Sequence, residues 1–225
     1  MKNRKVKTED LFDLNHTKAA PLLEKCQYPW QALSEIKQFI IELGKSLDPQ
    51  TYTEVKENVW IAKSATVFES AYIAAPCIIG ENTEVRHCAF IRGSALIGDN
   101  CVIGNSCELK NVILFDNVQV PHFNYVGDSI LGYKAHMGAG SVTSNVRSDK
   151  KNVVVHAEED LATGLRKFGA MLGDNVEVGC NSVLNPGTVV GRDSNIYPTS
   201  CVRGTVPEGC IWKNSGKVVV KIKEE

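Results

Sequence analysis

The sequence predicts an all-β solenoid: a parallel β-helix wound from six-residue repeats, preceded by a helical extension. Two observations carry this. From Ile61 an aliphatic residue returns every sixth position, at Val67, Ile73, Ile79, Val85, Ile91, Ile97, Ile103 and Leu109, and again at Leu172, Val178, Leu184, Val190, Ile196 and Val202. Two positions before each stands a small or thin residue: Val59, Ala65, Ala71, Cys77, Thr83, Ala89, Ala95, Cys101 and Cys107, then Ala170, Val176, Ser182, Thr188, Ser194 and Ser200. A period of six fits neither a helix nor simple strand alternation. It is the signature of hexapeptide coils, with one short strand per repeat and the two rows facing inward. Three repeats close a triangular coil, so residues 18 apart stack as parallel strands about 4.8 Å apart.

In chain order, residues 1–58 form an extension. Its segment Trp30–Leu43 places Leu33, Ile36, Ile40 and Leu43 at helical spacing, and Gly44 reads as the stop signal. This helix is expected to cap the open end of the coil, because a repeat stack needs its first apolar face covered. The coil occupies 59–206. Residues 207–225 end in NSGKVVVKIKEE, which reads as a strand with a charged tail.

The 225 residues carry 25 Lys and Arg against 26 Asp and Glu, for a net charge of −1, and the signs are interspersed. Such a surface offers no patch for nucleic acid or membrane. No apolar run is long enough to span a bilayer, and the basic N-terminus lacks the apolar stretch of a signal peptide, so a cytoplasmic location is expected. The 8 cysteines include no C-x-x-C pair. Cys77, Cys101 and Cys107 sit on the small-residue row, which points to reduced, buried packing residues rather than disulfides or a zinc site.

The repeat breaks twice. After Leu109 the phase calls for aliphatics at 115 and 121, but 121 is proline, and the row resumes, shifted, at Tyr125, Leu131 and Met137. Residues 145–169 are charge-rich and too long for a turn, and read as a loop pushed out of the coil in lid-like fashion. Around the first break, Val120–Asn145 concentrates His122, Tyr125, Asp128, His136 and Asn145. A neutral imidazole can take a proton from an ammonium at neutral pH, so His122 is the candidate base. The bland alternatives are an exposed turn histidine for His122 and a core position for Tyr125, which falls on the inward phase. Arg92 and Lys110, 18 apart, should stack as like charges that repel by on the order of 1 kcal/mol in water. Either a phosphate relieves that conflict or the two side chains splay into solvent.

The hexapeptide pattern resembles that of the hexapeptide acyltransferase superfamily, which implies a left-handed coil. HFNYVGD at 122–128 resembles the H-x-x-Y-x-G-D segment of sugar-phosphate acetyltransferases. GAGSVTSN at 138–145 resembles their GAGTxTxN, and GLRKFGAMLGDNVEVG is similar to the archaeal nucleotidyltransferase/acetyltransferase version. The resemblance, over about 59–206, implies a CoA-dependent N-acetyltransferase acting on an amino-sugar phosphate such as glucosamine 1-phosphate. It implies His122 and Asn145 as catalytic residues, with Arg92, Lys110, Tyr125 and His136 holding the acceptor. Acetyl-CoA, the co-substrate, is expected along Gly138, Ala139, Cys180, Pro198 and Lys213, with N–H groups of 138–140 facing the thioester. A homotrimer with sites between subunits, and no metal requirement, are further implications. His136 departs from the family's usual Asn. The nucleotidyltransferase half has no counterpart, because residues 1–58 are too short for it. Two other readings are a non-catalytic sugar-phosphate-binding subunit and a γ-class carbonic anhydrase-like site from His87, His122 and His136. The last lacks that family's close histidine pair.

Overall fold

The computed structural model of the protein describes residues 5–222, so the first four and last three residues of the two terminal segments lie outside the described residues. From Val59 the chain winds as a parallel β-helix with three flanks. Flank one stacks Val59–Ala62, Cys77–Ile79, Ala95–Ile97, the second halves of Glu108–Leu114 and Tyr125–Leu131, then Ala170–Leu172, Thr188–Val190 and Thr205–Val206. Flank two stacks Thr66–Val67, Glu84–Val85, Val102–Asn105, Gln119–His122, His136–Met137, Glu177–Val178, Asn195–Ile196 and Cys210–Trp212. Flank three stacks Tyr72–Ile73, Phe90–Ile91, the first halves of Glu108–Leu114 and Tyr125–Leu131, then Val142–Thr143, Val183–Leu184 and Cys201–Val202.

The inward rows are as expected. Ile79, Ile91, Ile97, Ile103, Leu109, Leu172, Leu184, Val190 and Val202 are fully buried, and Cys77, Cys101 and Cys107 lie beneath them as free thiols. The phase slip is placed differently. Leu114, not residue 115, stacks on Ile97, Val120 on Ile103, and Val126 on Leu109. The coil shortens by one residue at the corner Lys110–Asn111 and again at Gly127–Asp128, where Asn111 and Asp128 take left-handed conformations (φ 55° and 48°). Pro121 is a bystander in the flank-two strand. Tyr125 therefore leaves the inward row, which Val126 fills, and turns its ring outward.

The helix is also corrected. A 3-10 turn spans Pro29–Ser34 and the α-helix runs Ile36–Lys45, straight through Gly44. Gly44 is there because Trp60 lies against it: a Cβ would sit 2.2 Å from the indole ring. Tyr52–Lys56 of the extension pairs antiparallel with Val59–Ala62 at the coil's first edge, but the helix does not cap that end. The helix and the 3-10 turn lie along flank one, over the buried outward residues Ile78, Leu96, Ile113 and Ile130, a row that Met171 and Val189 continue. Polar contacts fix the strap: Lys18 Nζ reaches Asp99 at 2.8 Å, and the Asp13 N–H donates to Asp174 at 2.7 Å. At the far end Val218–Val220 pairs antiparallel with Cys210–Trp212, the strand read from the sequence. Among the described residues no helix is long and apolar enough to cross a membrane.

Candidate functional site

The predicted residues gather at two corners, one at each edge of flank three. The corner between flanks three and one holds Arg92, Lys110, Asp128 and Asn145. The Asp128 carboxylate is its hub. It is only 3% exposed and accepts from Lys110 Nζ at 2.9 and 3.1 Å, Asn111 Nδ2 at 3.0 Å and Asn145 Nδ2 at 2.6 Å. Asn145 Nδ2 also donates to the Tyr125 hydroxyl at 3.1 Å. Gly127 makes this possible, because a Cβ there would lie 2.4 Å from the Tyr125 hydroxyl oxygen. The Y-x-G-D spacing thus has a mechanical meaning. Gly127 clears room for the Tyr125 phenol, and Asp128, in a backbone region that Asp tolerates, points its carboxylate at Lys110 and Asn145. Burial, with the Asp128 charge adding to it, pushes the Tyr125 hydroxyl pKa up, so it stays a neutral donor.

The expected repulsion between Arg92 and Lys110 is relieved within the chain. Both stand at equivalent positions of successive coils, but Arg92 Nη1 donates to Glu108 at 2.7 Å while Lys110 pairs with Asp128. The hydrogen bond to Glu108 holds the Arg92 guanidinium pKa up. Neither cation splays freely.

The corner between flanks two and three holds the other set. His122 is exposed and stacks on Asn105. The next residues up the column are Ala139, Cys180 and Pro198: the Gly140 N–H donates to the His122 carbonyl at 3.0 Å, Asn181 N–H to Ala139 at 2.8 Å, and Thr199 N–H to Cys180 at 2.8 Å. Lys213 lies beyond, beside Asn214, whose Nδ2 donates to Thr199 Oγ1 at 3.1 Å. Three of the positions expected for acetyl-CoA, Ala139, Cys180 and Pro198, therefore form one line above His122, with Gly138 and Lys213 one residue to the side. Asn124, which sequence reasoning missed, builds this corner. Its buried amide donates to Gly138 O and Ser141 O at 2.8 and 3.0 Å and accepts from the His122 N–H at 3.1 Å. Of the three N–H groups expected to face a thioester, Gly138 donates to Val178 and Gly140 to His122. Of the three, the Ala139 N–H alone has no acceptor among the described residues.

His136 joins neither corner. It faces outward from flank two, its Nδ1 2.7 Å from Glu177 Oε2. His87 is two coils below His122, its Nδ1 against Ser70 Oγ at 2.9 Å, and among the described residues no three His, Cys, Asp or Glu side chains cluster as metal ligands would. The segment 145–169 is no free lid. It folds into an antiparallel hairpin, Val154–His156 against Asp160–Ala162, whose Val153 and Val155 are buried.

The sequence profile of the GMPPB C-terminal domain matches residues 73–190, just over half of the chain. The protein belongs to the GMPPB C-terminal domain family. Members of the wider group of curated relatives include the bifunctional protein GlmU of Methanococcus maripaludis strain C5, 32% identical over 86% of this chain and 48% of that protein. The bifunctional sugar-1-phosphate nucleotidylyltransferase/acetyltransferase of Sulfurisphaera tokodaii is 32% identical over 71% of this chain and 40% of that one. This GMPPB C-terminal domain protein spans about half the length of the curated relatives it matches. Among solved structures, the hexapeptide transferase family protein of Anaplasma phagocytophilum is 16% identical, with a TM-score of 0.41 over 73% of this chain and 79% of that one.

Proposed function

We propose that the protein is a CoA-dependent N-acetyltransferase for an amino-sugar phosphate of the glucosamine 1-phosphate type. The observation that carries the reading is the pairing of corners. A base column, His122 with Ala139, Cys180 and Pro198 above it, stands at one edge of flank three. A corner lined by cations, a phenol and an amide, Arg92, Lys110, Tyr125 and Asn145, stands at the other. The name of the Sulfurisphaera tokodaii relative, a bifunctional sugar-1-phosphate nucleotidylyltransferase/acetyltransferase, supports the substrate class.

In the proposed reaction Arg92 and Lys110 exchange part of their hold on Glu108 and Asp128 for the acceptor's phosphate. Asn145 and Tyr125 orient the sugar. His122 removes a proton from the ammonium, and the free amine attacks the thioester carbon directly. The Ala139 N–H stabilises the oxyanion, the C–S bond breaks as the nitrogen's second proton passes to sulfur, CoA leaves as its thiol, and the proton on His122 returns to solvent. The amide product and free CoA balance the reaction, with no covalent enzyme intermediate.

A trimer completes the arrangement, because the exposed outward row of flank three, Tyr72, Phe90 and Val183, suits packing against a second copy. Sedimentation velocity should then give a single species of three chains, and a monomer would remove the inter-subunit site.

A second reading, a binding subunit without turnover, is favoured by one observation: no hydrogen-bond partner orients the His122 ring among the described residues. Thiol release from acetyl-CoA, measured with a panel of amino-sugar phosphates, separates the two. Turnover that vanishes in His122→Ala supports acetyl transfer. Saturable binding of the sugar phosphate without thiol release supports the binding subunit.

A further inference from the structure

Beneath the inserted hairpin lies a pocket of about 260 Å³ whose walls include Ser144, Arg147, Ser148, His156, Asn185 and Arg203. We infer that this pocket binds a phosphoryl group of a small molecule, at a place separate from the Arg92–Lys110 corner.

The pocket is built before any ligand arrives. The Thr205 hydroxyl donates to the His156 carbonyl at 2.7 Å and ties the hairpin to the coil. On the other side Gly187 (φ 81°) admits Val153, whose Cγ1 would be 2.6 Å from a Cβ at that position. The roof therefore rests on packed side chains rather than on a mobile loop.

The lining is cationic and rich in donors. Arg203 has no hydrogen-bond or ion-pair partner among the described residues. Arg147 is held in place by a two-point contact with Asp149, Nε at 2.9 Å and Nη2 at 2.7 Å. The Nδ1 of His156 is engaged by Asp160 at 2.7 Å. Two guanidinium groups thus face one lining carboxylate, and two serine hydroxyls complete the donor set. A guanidinium presents parallel N–H groups that match a phosphoryl oxygen pair, and a doubly charged tetrahedral anion uses both arginines where a lone carboxylate cannot. Asp160 and Asp149 limit the charge but leave Arg203 uncompensated.

The pocket's position gives it reach. Its floor, Ser144, Asn185 and Arg203, lies higher on the corner column that starts with Lys110 and Gly127, one position before Asp128 and Asn145: the Ser144 N–H donates to Leu184 and the Asn185 N–H to Val202. A phosphorylated ligand anchored here would extend along the same edge of the coil. The assignment does not depend on whether the chain transfers an acyl group.

Calorimetric titration of the full chain tests it, with inorganic pyrophosphate as the probe and ADP, CoA and glucose 1-phosphate as competitors. Arg203→Gln should weaken pyrophosphate by about tenfold or more, as loss of a charge-assisted fork does. Arg203→Lys, which keeps the charge without the fork, should retain part of the affinity, and Arg92→Gln should leave this site unchanged. Whichever competitor displaces pyrophosphate from the wild type but loses that power in Arg203→Gln is the carrier of the bound group. No binding by the wild type at millimolar pyrophosphate overturns the inference. So does a loss that follows Arg92→Gln instead of Arg203→Gln in variants whose circular dichroism melts match the wild type.

Discussion

Asp128 accepts hydrogen bonds from three side chains while almost wholly buried, and its behaviour on substitution is the sharpest question at the residue scale. Asp128→Asn retains a side chain that tolerates φ 48° but leaves Lys110 without its counter-charge. The expected cost is about 1–3 kcal/mol of stability, the usual loss for hydrogen bonds to a charged group, read as a lower urea midpoint with unchanged slope. His122 behaves differently because it is exposed and packs nothing. His122→Ala should leave the urea midpoint unmoved within about 0.5 kcal/mol. Thiol release should nevertheless fall by roughly 10²–10⁴-fold, the usual contribution of a positioned base. A parallel loss of stability and turnover would instead make His122 a structural residue. H-x-x-Y-x-G-D was legible as a string, but the work of its last two letters was not. Gly127 and Asp128 act on partners 2 and 18 residues away in sequence, and only the stacked coils reveal which.

At the scale of the element, the helix Ile36–Lys45 and the strand beside it set local propensity against packing. Judged on propensity, Gly44→Ala should stabilise a helix by about 1 kcal/mol. Against Trp60, whose ring leaves no room for a Cβ, the same change should cost about 1–3 kcal/mol as an overpacked contact. A lowered melting temperature decides for packing, and a raised one for propensity. The same element shows why sequence reading put the helix at the coil's end. The spacing of Leu33, Ile36 and Ile40 revealed an apolar face but not its target. The target is the outward row Ile78, Leu96, Ile113 and Ile130. It was visible in the sequence as a third apolar position in flank-one strands, adjacent to residues already explained by the inward rows. Leu96→Ala, in the middle of that row, should cost about 2–5 kcal/mol if the strap is packed as the burial indicates, and the urea midpoint measures it.

Over the whole molecule, the coil's thiols make stability fall at high pH. Burial pushes the Cys77 and Cys101 thiols up to about 12, against 9.0 for the free group. The unfolded chain ionises these thiols first, so their contribution is full below about pH 9 and is lost as pH rises toward 12. A melting-temperature series above pH 9 should fall more steeply in the wild type than in the Cys77→Ala, Cys101→Ala double variant. Equal slopes would mean that the thiols are not held in the coil as described. At pH 8, alkylation should reach exposed Cys88 and Cys180 and spare the buried pair until the protein unfolds.

The six-residue rows by themselves determined the solenoid, its inward face and the extent of the coil, because a repeated local constraint writes the same residues again every turn. The break in the rows singled out the stretch that holds His122, Tyr125 and Asn145, which the structure divides between two corners. Tertiary structure alone decided where the coil loses a residue, and so which way Tyr125 points. It also decided that Asp128 and Glu108 answer the charges of Lys110 and Arg92, and that the helix of the extension lies along a flank rather than across an end. The physical reason is the same throughout. A hexapeptide repeat fixes side-chain direction from neighbours along the chain. Pairing across coils joins residues 17, 18 or 41 positions apart, and a one-residue shortening at a corner changes every such partner after it.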